Sequence, residues 1–145
     1  MKVNNYPLKT PAAGDKLFGS DASGDQYQFD MSNFGTSTYK VYTALLTQTS
    51  NNAPVATVLE NTLGGTPTFT YISIGAYQMT LNGSFNSSKT WVVGGSADIN
   101  AGSGSLATLD IRRFNDNIID LRTCDDFTGA DSMLVNTSIE IRVYN

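Results

Sequence analysis

The chain contains no histidine and only one cysteine among its 145 residues. Without an imidazole, Ser-His-Asp and Cys-His nucleophilic catalysis and histidine-based zinc sites are ruled out. A single cysteine rules out any internal disulfide. Cys124 stands beside Asp125 and Asp126, whose negative charge opposes thiolate formation, so it is expected to pack as a small hydrophobe. Charge is also scarce: charged residues make up 15% of the chain, and nine Lys and Arg against thirteen Asp and Glu give a net charge of -4. A phosphate-binding surface needs clustered cations. The nearest approach here is Arg112-Arg113, which reads as one solvated strand end, so neither nucleic acid nor an anionic membrane is an expected partner. Glutamate is confined to Glu60 and Glu140. Glu140 falls on the polar face of an alternating strand, a poor setting for the apolar-pocket carboxylate that glycoside hydrolysis needs. The expectation is a chain that is not an enzyme and uses no cofactor and no metal.

Long apolar runs are missing as well. No stretch approaches the roughly 20 apolar residues of a membrane span. The opening MKVNNYPLKT holds no run of signal-peptide length, which leads to an expectation of synthesis in a cytoplasm. At this length a single domain with a sizeable core is feasible, since a chain of about 150 residues buries roughly two-thirds of its unfolded surface.

What the sequence does hold is Ser, Thr, Asn and Gly, a vocabulary of strands and turns. From Tyr39 onward, apolar and polar residues alternate with period two. Tyr39-Val41-Thr43-Leu45 takes one side of a strand and Lys40-Tyr42-Ala44-Leu46 the other. Further strands are expected at 54–59, 69–72, 77–81, 91–95, 106–114, 118–122 and 139–144. Gly, Asn and Pro punctuate them at 50–52, 63–67, 82–83 and 115–117. No dozen-residue window has helical periodicity with a cap, and 125–135 reads as a loop. About eight or nine short strands at this spacing predict an all-β fold, a β-sandwich or jelly-roll-like domain over residues 36–145.

Residues 1–35 differ in character. Tyr6-Pro7, Thr10-Pro11, Ala13-Gly14-Asp15 and the run from Ser20 to Asp25 are turn-forming. Between them lie two short apolar patches, Lys16-Leu17-Phe18 and Tyr27-Gln28-Phe29. The pattern predicts an extended N-terminal arm followed by a short hairpin. A lone two-stranded hairpin is marginal in water, so its apolar residues call for a partner surface. Tyr6, Leu8, Leu17, Phe18, Tyr27 and Phe29 are accordingly the candidate attachment or oligomer-interface residues.

Two further clusters carry a sharp reading and a bland one. Asp125, Asp126 and Asp131 could supply oxygens to Ca²⁺, but they lack the alternating acidic spacing and closing Glu of a calcium-binding hand. A solvated loop is the expectation, and likewise a turn for Asp21 to Asp25. Tyr39, Tyr42, Phe69, Tyr71, Tyr77, Phe85 and Trp91 could build a sugar-stacking platform. Their place within alternating strands favours packing in a core or subunit interface. The acceptor-like triplets at Asn82, Asn86 and Asn136 are expected by chance in a chain rich in Asn, Ser and Thr.

Two stretches resemble known proteins. Asn5-Tyr6-Pro7-Leu8-Lys9-Thr10-Pro11, continuing through Gly14-Asp15-Lys16-Leu17-Phe18 to Gly19-Ser20-Asp21, resembles the N-terminal segment of many phage fibre and head-associated proteins. Tyr42 to Thr49, Ala53 to Thr66 and the ending Ile139 to Tyr144 are similar to a small β-domain common in phages of Bacteroidetes-type hosts and in marine viral sequence. The resemblance implies a non-enzymatic accessory protein of a tailed-phage virion, a capsid decoration or head-fibre subunit docking through its N-terminal arm. It also implies a homotrimer whose partners include other virion proteins such as the major capsid protein, located at the virion surface after synthesis in the host cytoplasm. The rival expectation is a tail-associated receptor- or carbohydrate-binding module whose partner would be host-surface glycans.

Overall fold

The fold is taken from a computed structural model that describes residues 16–20, 23–30, 38–95 and 107–145. By internal packing the chain divides into two units, Met1–Ser37 and Thr38–Asn145. Every regular element among the described residues is a strand.

In the first unit, β1 (Lys16–Ser20) and β2 (Gln26–Asp30) form an antiparallel hairpin. Leu17 lies opposite Phe29, Phe18 opposite Gln28 and Gly19 opposite Tyr27. Gly24, in the connection, takes a positive φ of 86° that L-residues avoid. Tyr6 and Leu8 lie outside the described residues, as do the side chains of Leu17, Phe18, Tyr27 and Phe29.

The second unit is a β-sandwich. One sheet has the order β4-β3-β11-β7, built from β4 (Val55–Asn61), β3 (Tyr39–Thr47), β11 (Thr137–Tyr144) and β7 (Thr90–Gly94). The other is built from β5 (Thr68–Ser73), β6 (Ala76–Thr80), β9 (Ile118–Asp125) and β8 (Ala107–Asn115). In that sheet β6 pairs with β5 on one side and β9 on the other, and β9 also pairs with β8. The two-residue β10 (Thr128–Gly129) continues the β6 side of β9 beyond the end of β6. All pairings are antiparallel.

Period-two alternation decides which side chains face inward. Tyr42, Ala44 and Leu46 of β3 meet Ile139 and Ile141 of β11 on one inner face. Tyr77 and Met79 of β6, with Ile119 and Leu121 of β9, form the other. Phe85 and Leu134, from the connections, close the same core. The two edge strands β7 and β8 approach closely, for a Cβ on Gly94 would lie 2.8 Å from Leu109 Cδ2. Turn chemistry is local and polar: Asn117 N–H donates to Asn115 Oδ1 at 2.8 Å, and Gly83 N–H to Asn117 Oδ1 at 2.7 Å.

The expected strands are present with boundaries shifted by up to three residues, and they form the sandwich that the alternation implied. Within 125–135, expected as a loop, Thr128–Gly129 pairs with Asp125 and Cys124. The turn between these partners puts Asp126 (φ 46°) and Phe127 (φ 67°) in the left-handed region. Arg113 is not a solvated strand end. It is mostly buried, donating to the Phe85 carbonyl and pairing with Asp116, whereas Arg112 is the exposed member.

Candidate functional site

The two outer faces of the sandwich differ in chemistry. On the face of β6, β9 and β8, charges cancel across the strands. Asp110 stands opposite Arg122, and Asp120 opposite both Arg112 and Gln78. Arg112 Nη2 lies 3.6 Å from Asp120 Oδ2, and Gln78 Nε2 donates to Asp120 Oδ1 at 3.1 Å. The Asp120 carboxylate is thus engaged on both oxygens.

The outer face of the β4-β3-β11-β7 sheet is aromatic, aliphatic and only sparsely charged. Cross-strand register aligns Trp91 of β7 with Arg142 of β11, Arg142 with Val41 of β3, and Tyr144 with Tyr39. The Arg142 guanidinium lies 4.8 Å from the centre of the Tyr39 ring and 5.0 Å from that of Trp91. Tyr39 and Tyr144 stack at 5.4 Å with an interplanar angle of 57°. The guanidinium therefore meets two ring faces whose quadrupoles favour a cation. Its Nε also bonds the Glu140 carboxylate, the first cause of the raised Arg142 pKa. This arrangement fixes the positions of a cation, an anion and three rings on one exposed sheet surface. Trp91 remains 44% exposed.

Next to this stack lies a pocket of about 240 Å³. Thr43, Ser138 and Glu140 supply its polar groups, Leu59 and Val93 its apolar ones, and the Gly94-Gly95 backbone part of its wall. Leu59 enters this face because β4 bulges there: Thr43 pairs with Glu60 and Ala44 with Val58, leaving Leu59 as the extra residue. Thr43 thus has Glu60 across from it on one side and Glu140 on the other. Gly95 packs closely on Ser138, whose hydroxyl would have to shift to admit a Cβ there.

A second polar assembly has a structural purpose. The Asp131 carboxylate accepts from Tyr71 Oη at 3.1 Å, from Tyr77 Oη at 3.0 Å and from Gly75 N–H at 2.8 Å. The amide oxygen of buried Gln48 lies 3.0 Å from Tyr77 Oη and accepts from Ser132 N–H at 2.6 Å. Burial raises the pKa of Tyr77 far above its ordinary value, and the Asp131 charge raises it further. Tyr71 is raised by the same two causes in the same order. Both oxygens of Asp131 are thus engaged by donors, which corrects the expectation of a solvated loop at this residue: its partners are tyrosines of β5 and β6. Among the described residues, no group of three or more His, Cys, Asp or Glu could hold a metal ion.

The aromatic set divides. Tyr42, Tyr77 and Phe85 belong to the core, and Phe69 and Tyr71 pack against it. Only Tyr39 and Trp91 reach the outer face, where Tyr144 and Arg142 join them. Sequence reasoning passed over those last two. Their signal was the alternation of the closing strand, which sets Glu140, Arg142 and Tyr144 on one face. Cys124 is half-buried and free. Compared with known proteins, the chain matches no family model, no curated protein and no solved structure.

Proposed function

We propose that this chain is a non-enzymatic structural component of a tailed-phage particle, a capsid-associated decoration or head-fibre subunit docked through residues 1–35. The supporting observation is that the described core is contained within the second unit, every member lying between Tyr42 and Ile141. The sandwich packs around these residues, and the resemblance of residues 5–21 suggests the arm and hairpin as the attachment segment. Docking would bury Tyr6, Leu8, Leu17, Phe18, Tyr27 and Phe29 against the major capsid protein or sister subunits of a homotrimer. Each side chain contributes about 1.5–3 kcal/mol when fully buried, before ordering costs.

Deleting residues 1–35 is expected to leave a soluble β-sandwich that no longer joins particles, as followed by immunoblotting of purified virions. Normal incorporation of the truncated chain would overturn the docking role. Light scattering on the full chain is expected to report three times the 15.6 kDa protomer mass. Immunogold labelling of virions decides the location: gold over the capsid supports decoration, and gold at the tail tip supports a receptor-binding role instead. The latter reading is favoured by the exposed Trp91 and its neighbours.

A further inference from the structure

We propose that the outer face of the β4-β3-β11-β7 sheet binds a neutral oligosaccharide, with Trp91 as its stacking platform and the adjoining pocket holding the next sugar unit. The inference holds whether the chain sits on the head or the tail of a particle.

A sugar ring offers two kinds of surface, an apolar C–H face and an equatorial rim of hydroxyls, and this sheet face answers both. The Trp91 indole has Arg142 over its ring at 5.0 Å, yet is 44% exposed, so the remainder of the indole is open to a C–H face. Trp91 and Val93 share the outer face of β7 and are two residues apart, about 6.5 Å along the strand. Val93 lines the pocket, so platform and pocket are contiguous. The pocket volume, about 240 Å³, falls below the roughly 300–1,000 Å³ typical of drug-sized sites, as suits a single ring rather than a large cofactor.

Donors and acceptors are paired as hydroxyls require. Thr43 and Ser138 each donate and accept, and the Glu140 carboxylate only accepts. Arg142 only donates, and of its five N–H groups Nε is spent on Glu140 and another is shared with Tyr144. Because the guanidinium is held by two rings and a carboxylate, it is oriented before any ligand arrives, which lowers the ordering cost of binding. Charge selects against an acidic sugar: Glu140 offsets Arg142, and Glu60 adds an exposed negative charge across Thr43. On the opposite outer face the Asp120 carboxylate is already engaged by Arg112 and Gln78.

Trp91 is the only tryptophan in the chain, so its emission reports on this face alone. The full chain is titrated with cellohexaose, xylohexaose, mannohexaose, chitohexaose and, as the acidic control, hexagalacturonic acid. A saturable emission change with at least one of the four neutral probes is expected. Affinity is expected to fall about tenfold in Glu140→Gln, the loss expected on weakening one charge-assisted hydrogen bond. Arg112→Ala, on the other outer face, is expected to leave affinity unchanged, with circular dichroism showing that both variants fold. Absence of a saturable change with every neutral probe up to about 10 mM, where only binding weaker than −3 kcal/mol or so would escape, overturns the proposal. So does binding unaffected by both Glu140→Gln and Thr43→Val, or a response to hexagalacturonic acid alone.

Discussion

At the residue scale, the polar assembly at Asp131 is the most consequential feature of the sandwich interior. Tyr77 is almost fully buried, and its hydroxyl faces both Gln48 and Asp131. Replacing it with phenylalanine leaves those acceptors short of a donor. Tyr77→Phe is therefore expected to destabilise the fold by about 1–3 kcal/mol, measured by urea unfolding. The raised tyrosine pKa values also set an alkaline limit. Tyr77 and Tyr42 are held neutral by burial beyond the pH near 10 at which an exposed tyrosine ionises. Above that pH the unfolded chain releases protons that the folded chain retains. Stability is thus intact below about pH 10 and falls as pH rises above it, by at most about 1.4 kcal/mol per pH unit for Tyr77. Unfolding midpoints measured from pH 8 to 11 are expected to decline above pH 10, and less steeply in Tyr77→Phe. None of this assembly was legible from Asp131 itself. An acidic residue in a Gly- and Ser-containing loop reads as solvated, and only the spatial return of that loop onto β5 and β6 supplies the donors.

At the element scale, alternation showed which residues of a strand face inward, because the period of two is intrinsic to the backbone. It could not show which strand lies beside which. Tyr39, Trp91 and Arg142 are brought together by β3, β11 and β7, three strands distant in sequence, so the outer-face stack was hidden although each strand was readable. The bulge in β4 was equally hidden, since an extra residue leaves the apolar run Val55 to Leu59 looking like regular strand. Close approaches between elements depend on particular glycines. Gly75, between β5 and β6, has φ 65°, and a Cβ there would meet the Thr123 carbonyl and lie 2.6 Å from Ala130 N. Both obstacles are backbone and cannot rotate away. Gly75→Ala is expected to cost about 2 kcal/mol or more, combining left-handed strain with displacement of β10. Thermal unfolding gives the test, and an unchanged midpoint would mean that the β10 turn yields freely.

At the scale of the whole molecule, the division at residues 37 and 38 and the core described within the second unit make the sandwich a candidate for independent folding. A fragment of residues 38–145 is expected to unfold in one cooperative transition, with the same midpoint by circular dichroism and by Trp91 emission. Non-coincident transitions would show that the first unit supports the second. The fold class was legible because composition, turn spacing and alternation all pointed to short antiparallel strands. One further consequence follows from the pairing of the first and last strands of the sandwich. Tyr39 opens β3 and Tyr144 closes β11, and the two sit opposite each other, with Asn145 N–H bonded to the Thr38 carbonyl at 3.1 Å. A pull that separates residues 38 and 145 therefore loads the ladder from its end and opens its rungs in succession instead of shearing them together. Under tension along the chain the sandwich is built to yield like a zip, at low force, whatever its resistance to heat.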